Sequence, residues 1–483
     1  MIFALIRLDV RLLRRSRAFW LLILLLSCAA SLSLVSGFDW RHRYIDAGNV
    51  ARDMVAQDRQ ALVDVYDAMD AGTLEPSDND SFDGTGEFIP DPRDPYVAGY
   101  FHTQLAELPA GALLGLATGS SELRANHHLI RSISIASLMR VGEPAERVNP
   151  AALAAGRFDL LAFIMFLCPL ALVVLLFDAC AREREAGMTP LLAGLGATQR
   201  ELLMARGITR GGAVLAVALI ASIAGISLAG ALGTAASIEW CLGTIVYIAL
   251  WTALLLFLAS TGLSLFGSAA MAVSLWVALL FVSPGVVERA LQPSGLLEPR
   301  ALADAEVRAV VRRATASDAA RVAARQRVAE EYWGIDFAEA PACANRETVI
   351  PTYVERRLSD EVYATAMRTG AAREAVFDVR LDRWSWLSPP LAFRRGMETL
   401  AGVDPARQRV FEDQVLTYHA AWRDRVTHAV LACEELDRAS FESAPRFDFE
   451  EPAGGLAAWF GTALAGGLAV LLYFFAFRRI PLA

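Results

Sequence analysis

Long apolar runs separated by charged segments dominate the chain. Uncharged apolar stretches cover residues 18–38, 160–177, 211–238 and 453–477, and residues 240–287 form a further run of 48 without a charge. A helix crosses a bilayer with about 20 predominantly apolar residues, so each of the first four runs predicts one span. The longest accommodates two, with Ser260, Thr261, Gly262 and Ser264 as the turn between them. An ionised side chain at the centre of a span costs roughly 2.5–3.5 kcal/mol on insertion, and these six segments avoid it. Residues 108–121 are also uncharged, but 14 residues interrupted by Pro109, Gly111, Gly115 and Gly119 are too short to span.

The first run is preceded by Arg7, Arg11, Arg14, Arg15 and Arg17, as in a signal peptide. It continues ten residues past Cys28, beyond the 7–15 residues of a signal h-region. Ile2, Leu5, Ile6, Leu8, Leu12 and Leu13 alternate with those arginines at helical spacing, which predicts an interfacial helix over residues 1–17. Val50, Met54, Leu62, Tyr66 and Met69 continue a helix beyond the first span, with Gly72 as its stop. Residues 75–95 are acidic and turn-rich. Asp78, Asp80, Asp83 and Glu87 there miss the calcium-loop pattern, because Phe82 and Asp83 stand where an oxygen ligand and a glycine are needed, so the segment reads as a solvated loop. In residues 288–452, Val307, Val310, Val311, Val322 and Val328 mark one amphipathic helix. Phe411, Val415, Tyr418, Trp422, Val426 and Val430 mark another, with Trp384, Trp386, Pro389 and Pro390 in an aromatic, proline-rich connection between them.

Composition sharpens this picture. The chain is 55% hydrophobic and only 20% charged, with a mean hydropathy of +0.38 and a net charge of -8. All 45 basic residues are arginine, and a P-loop cannot be built without its lysine, so ATP chemistry of that kind must come from another chain. Arginines concentrate in residues 1–17, in residues 178–210 (Arg182, Arg184, Arg200, Arg206, Arg210) and in the tail at Arg478 and Arg479. All three fall on one side of a six-span topology, which places both termini in the cytoplasm. Residues 39–157 (18 acidic, 10 basic) and residues 288–452 then lie outside and carry the acidity, with a short hairpin tip near Glu239.

The expected fold is therefore an α-helical polytopic membrane protein with six transmembrane helices, an interfacial N-terminal helix and two mostly helical extracytoplasmic domains. Its segments are 1–17 interfacial helix, 18–38 span one, 39–157 first outer domain, 158–180 span two and 181–210 cytoplasmic connection. There follow 211–287 spans three to five, 288–452 second outer domain, 453–477 span six and 478–483 tail. Gly211, Gly212, Gly225, Gly230 and Gly233 suit close packing of the third span.

Candidate chemistry is sparse. All six histidines lie outside the spans, which disfavours an intramembrane metalloprotease or serine–histidine site. The adjacent His127 and His128 read as exposed polar residues rather than metal ligands. Cys28, Cys168, Cys180 and Cys241 read as small apolar residues in or beside spans, whereas an oxidising compartment would allow a disulfide between Cys343 and Cys433. The cytoplasmic connection mixes signs at Arg182, Glu183, Arg184 and Glu185, then turns at Gly187. A helical stretch follows at residues 190–195, and Thr198 and Glu201 are spaced as a capping box opening a second helix through Gln199 and Arg200. It reads either as a surface helical hairpin or as a docking helix for a cytoplasmic partner.

Several pieces in order carry a family resemblance. They are Asp91-Pro92-Arg93-Asp94-Pro95-Tyr96, Asn149-Pro150 leading to Gly156-Arg157-Phe158-Asp159-Leu160, and Glu183-Arg184-Glu185-Ala186-Gly187 with the 196–203 helix. Leu387-Ser388-Pro389-Pro390-Leu391-Ala392 and Ala401-Gly402-Val403-Asp404 follow. Over nearly its whole length the chain resembles type-2 ABC exporter permeases, in the subfamily with large outer segments known only as a domain of unknown function. Met188 departs from the threonine usual after the glycine. The resemblance implies a permease in the bacterial inner membrane that pairs with a second copy or a sister permease. It also implies docking of a cytoplasmic ATP-binding-cassette ATPase through Glu183, Arg184, Glu185, Gly187, Thr198, Gln199, Arg200 and Glu201. ATP and magnesium would bind that ATPase; the chain itself would hold no cofactor or metal, have no catalytic site and bind no nucleic acid. The competing expectation is a non-transporting membrane receptor or scaffold that binds a partner through its outer helices.

Overall fold

The computed structural model describes residues 2–75, 91–133 except 123, 157–188, 198–292, 299–331 except 315 and 329, and 346–452, with single positions at 135, 194 and 467. Span six (453–477), the tail, Cys343, the residues Asn149, Pro150 and Gly156, residues 190–193 and the acidic positions from Asp78 to Glu87 lie outside the described residues.

Helix α1 (Ile2–Arg15) is amphipathic, with Leu5 and Asp9 buried and Phe3, Leu8 and Leu12 exposed. It ends at Ser16, whose hydroxyl accepts from the Phe19 N–H at 3.3 Å and starts α2 (Arg17–Asp70). Helix α2 runs 54 residues without a break, about 80 Å at 1.5 Å per residue, long enough to cross an apolar layer and continue as a polar mast. It stops where Gly72 adopts a left-handed φ of 68°. Beside α2 stand α4 (Leu160–Glu185), α5 (Gln199–Leu228), α6 (Ala235–Ser260) and α7 (Leu265–Leu291). Among the described residues these five helices are long and apolar enough to cross a membrane, which fits a multi-pass membrane protein.

The bundle is held by aromatic residues and by three π-turns. Trp240, Trp251 and Phe163 are fully buried. The π-turn Phe163–Leu167 in α4 disturbs the helical ladder where Met165 and Phe166 accept outside bonds, from Tyr247 Oη at 3.0 Å and Trp276 Nε1 at 3.3 Å. Similar π-turns occupy Gly207–Gly211 in α5 and Ala278–Val282 in α7. The turn at residues 261–264 falls where the sequence predicts it, with Ser264 capping α7. The preceding turn does not. Helix α5 ends at Leu228 and α6 starts at Ala235, capped by Thr234, so Glu239 lies inside a helix rather than at a hairpin tip. Gly230 and Gly233 take left-handed φ in that turn and pack against nothing, whereas Gly225 faces Leu34 and Leu116 as close packing requires.

A polar body surrounds the far half of α2. Its first part holds α3 (Pro95–Phe101) and an antiparallel hairpin of β1 (Gln104–Glu107) and β2 (His127–Ile130), registered Leu105 to Leu129, so the described residues of this segment include a small sheet beside the helices. The remainder is α8 (Pro299–Ala314), α9 (Asp318–Val328), α10 (Arg346–Trp384), α11 (Pro389–Ala401), α12 (Pro405–Ala432) and α13 (Arg438–Glu442). The valine stripe from Val307 to Val328 thus belongs to two helices. The two expected outer domains share one core, in which Ala106, Leu108 and Ile130 pack with Val307, Tyr353, Phe411 and Val415. A buried polar knot ties them further. Asp360 accepts from the Ile135 N–H at 2.8 Å and from Arg423 at 2.6 Å, and His419 Nε2 donates to the Ile133 carbonyl at 2.7 Å. Burial lowers the His419 pKa, which keeps it neutral in that role.

Candidate functional site

The connection between α4 and α5 is the candidate site, and the residues beneath it are more constrained than those on it. Helix α4 loosens at residues 177–180 and resumes for one turn, Ala181–Glu185, before Gly187 ends it with a left-handed φ of 66°. Helix α5 opens at Thr198. Its hydroxyl accepts from the Glu201 N–H at 3.2 Å, while Glu201 accepts from the Thr198 N–H at 3.1 Å, so the capping box is complete.

Under this turn lies a buried ionic cluster. Arg206, with a side chain only 7% exposed, donates to Glu183 Oε2 at 2.8 Å and also to Glu183 Oε1 and the Ala179 carbonyl. One turn on, Arg210 donates to the Leu175 carbonyl at 2.6 Å, to Asp178 at 3.0 Å and to Asp9 at 3.2 Å. Thr209 donates to the other oxygen of Asp9, and Arg206 Nε lies 3.8 Å from Asp9. Three carboxylates on α1 and α4 therefore meet two arginines on α5, and the π-turn Gly207–Gly211 runs through the latter group. Buried charges persist only when paired and hydrogen-bonded.

This arrangement divides the predicted docking residues. Glu183 is consumed by Arg206. Arg184 donates to the Leu263 carbonyl, and Glu185 accepts from the Leu265 N–H at 2.7 Å, so both fasten the start of α7. Thr198 and Glu201 satisfy each other. Gln199 is half-buried, and Glu185, Gly187, Met188, Thr198 and Arg200 are exposed. The structure thus brings Glu183, Arg184 and Glu185 into internal contacts and leaves a small exposed patch around the 186–188 turn and the α5 start. Asp9, Asp178, Arg206, Thr209 and Arg210 were not predicted. The one signal for them was the i, i+4 spacing of Arg206 and Arg210 at the mouth of an apolar run.

Elsewhere, His127 and His128 are buried on β2 rather than exposed, and His128 stacks on Phe411 at a 5.8 Å centroid distance. Among the described residues no group of three or more His, Cys, Asp or Glu side chains is placed to hold a metal ion. Cys28, Cys168, Cys180 and Cys241 are free thiols and Cys433 is disulfide-bonded; its expected partner, Cys343, lies outside the described residues.

Residues 303–450 match the family model described as domain of unknown function (DUF3526). That span runs from α8 past α13 and covers the second part of the polar body, not the bundle or the α4–α5 connection. Neither the curated proteins nor the solved structures give a match.

Proposed function

We propose that the chain is the membrane-spanning permease subunit of an ATP-binding-cassette exporter, working as a dimer and driven by a separate cytoplasmic ATPase docked at the α4–α5 connection. The observation that supports this best is the anchoring of that connection. Arg206 and Arg210 tie it to α1 and to the end of α4, and Glu185 ties it to α7, so displacement of the exposed turn moves three helices together. A loose surface hairpin would need none of these buried pairs. The sequence has no lysine from which to build a P-loop, which supports a separate ATPase if ATP of that kind drives the cycle. In this reading the basic α1 end faces the cytoplasm and the polar body faces outward.

The receptor or scaffold reading draws support from the polar body, whose own core and buried knot make it a rigid platform. Co-expression with a candidate ATP-binding-cassette ATPase from the same genome separates the two. The permease reading expects a complex that survives purification and hydrolyses ATP faster than the ATPase alone. No complex and no stimulation would sink it. Glu185→Arg and Glu201→Arg would reverse charge within the predicted docking set, but each also breaks an internal contact. Met188→Asp strikes an exposed position and should weaken capture of the ATPase at least fivefold while insertion is kept.

A further inference from the structure

Helices α3 and α12 touch where Gly99 meets Val426; a Cβ on Gly99 would lie 2.4 Å from Val426 Cγ1. Beside this contact the helices part around a cleft of about 600 Å³. Ligand sites typically occupy about 300–1,000 Å³ and combine apolar walls with a few polar groups. Here Ala98, Val426 and Ala429 supply apolar surface, and Trp422, Arg425 and His428 line the same space from successive turns of α12.

Arg425 is exposed, and among the described residues its one hydrogen bond goes to Ser443 Oγ at the limiting distance of 3.5 Å. Its neighbours differ. Arg423 holds Asp360 and Asp424, Arg407 holds Glu451, Arg409 holds Asp378 and Arg438 holds Asp67. Glu434, a carboxylate in the lining, forms no ion pair with Arg425 among the described residues. A guanidinium left at the rim of a partly apolar cleft suits a planar anion, which it can grip with two parallel N–H bonds.

The height of the cleft limits the source of that anion. Arg438 on α13, which follows the lining residues Glu434 and Leu436, pairs with Asp67 of α2 at 3.0 Å. Asp67 lies 29 residues beyond Phe38, where the first apolar run ends, and this separates them by about 40 Å along the helix. A lipid still seated in the bilayer does not reach that far.

We propose that the α3–α12 cleft binds a free anionic amphiphile, a carboxylate on an aliphatic or aryl body, with the carboxylate on Arg425 and the body against Val426 and Ala429. This site is independent of how the α4–α5 connection works. The test uses the full chain in phosphatidylcholine nanodiscs, with octanoate as probe and octanamide as its neutral counterpart, read by saturation-transfer NMR against empty nanodiscs. Octanoate should bind the protein at least tenfold more tightly than octanamide. Arg425→Gln should remove that preference, and Ala432→Trp, at an exposed lining position, should abolish binding of both without changing the melting temperature. If Ala432→Trp melts early, His428→Trp at another exposed lining position replaces it. No octanoate binding, or equal binding by wild type and the filled-cleft variant, overturns the site. Equal binding of octanoate and octanamide overturns the anionic assignment. Loss of octanoate binding in nanodiscs containing phosphatidylglycerol would make the occupant a bilayer lipid and overturn the free-ligand assignment.

Discussion

Asp9 is the one carboxylate of an arginine-bearing helix, and it sits 4% exposed among Arg206, Thr209 and Arg210. Removing one partner of a buried ion pair costs about 3–5 kcal/mol, because the remaining charge is stranded. Glu183 and Asp178 still face the arginines, so Asp9→Ala should cost the lower part of that range and lower the melting temperature by several degrees. Asp9→Asn, which can still accept from Thr209, should lose less; equal melting of wild type and Asp9→Ala would remove the cluster from the account. Glu398 on α11 gives a pH signature. Burial pushes its carboxyl up to about 7, against the pull of Arg394 and Arg395. Between its ordinary 4.5 and about 7 the folded protein keeps a proton that the unfolded chain has lost, so stability falls as pH rises through that window. Glu398→Gln should therefore raise the melting temperature at pH 8 more than at pH 5. His102 works oppositely. Burial lowers it to about 4, so its contribution is present above pH 6.5 and is lost as pH falls toward 4.

At the scale of elements, legibility in the sequence follows the range of the interaction that shapes each one. The capping box at Thr198 and Glu201 is a three-residue pattern and was readable, as were the break at Ser260–Ser264 and the stop at Gly72. Glu185 caps α7 from 80 residues away, and no local pattern could reveal it. The hairpin of β1 and β2 escaped for the same reason. Each strand has four residues, and the segment between them carries no tight-turn signal. The α5–α6 turn was missed because an Ala- and Gly-rich stretch is as apolar as a span, and only the left-handed Gly230 and Gly233 end the helix. The predicted docking set mixed internal and exposed residues, since charge alone does not show which side of a helix is buried. Glu185→Ala should cost about 1 kcal/mol, as loss of a helix cap does. Faster amide exchange confined to residues 265–268 would show it; unchanged exchange there would mean that Glu185 does not hold α7.

At the scale of the whole molecule, α2 is the shared axis. Its first part belongs to the apolar bundle, its far part meets β1 through the Arg52–Glu107 pair at 3.0 Å, and its end meets α13. The bundle also reaches the polar body through Tyr247 stacked on Phe393 of α11 at 4.1 Å, and through Ser283 and Ser388, whose hydroxyls lie 2.7 Å apart. A push on the α4–α5 connection therefore has a packed route through α6 and α7 to the polar body, which is what a permease driven from one face requires. Whether a partner engages that connection is tested by a photoreactive benzoylphenylalanine at Met188, with a second at the exposed Val322 of α9 as reference, in chain co-expressed with a candidate ATP-binding-cassette ATPase from the same genome. Irradiation is expected to crosslink the ATPase from position 188 and not from 322. Crosslinking from 322 instead, or none from 188 in a complex that co-purifies, would contradict docking at this connection.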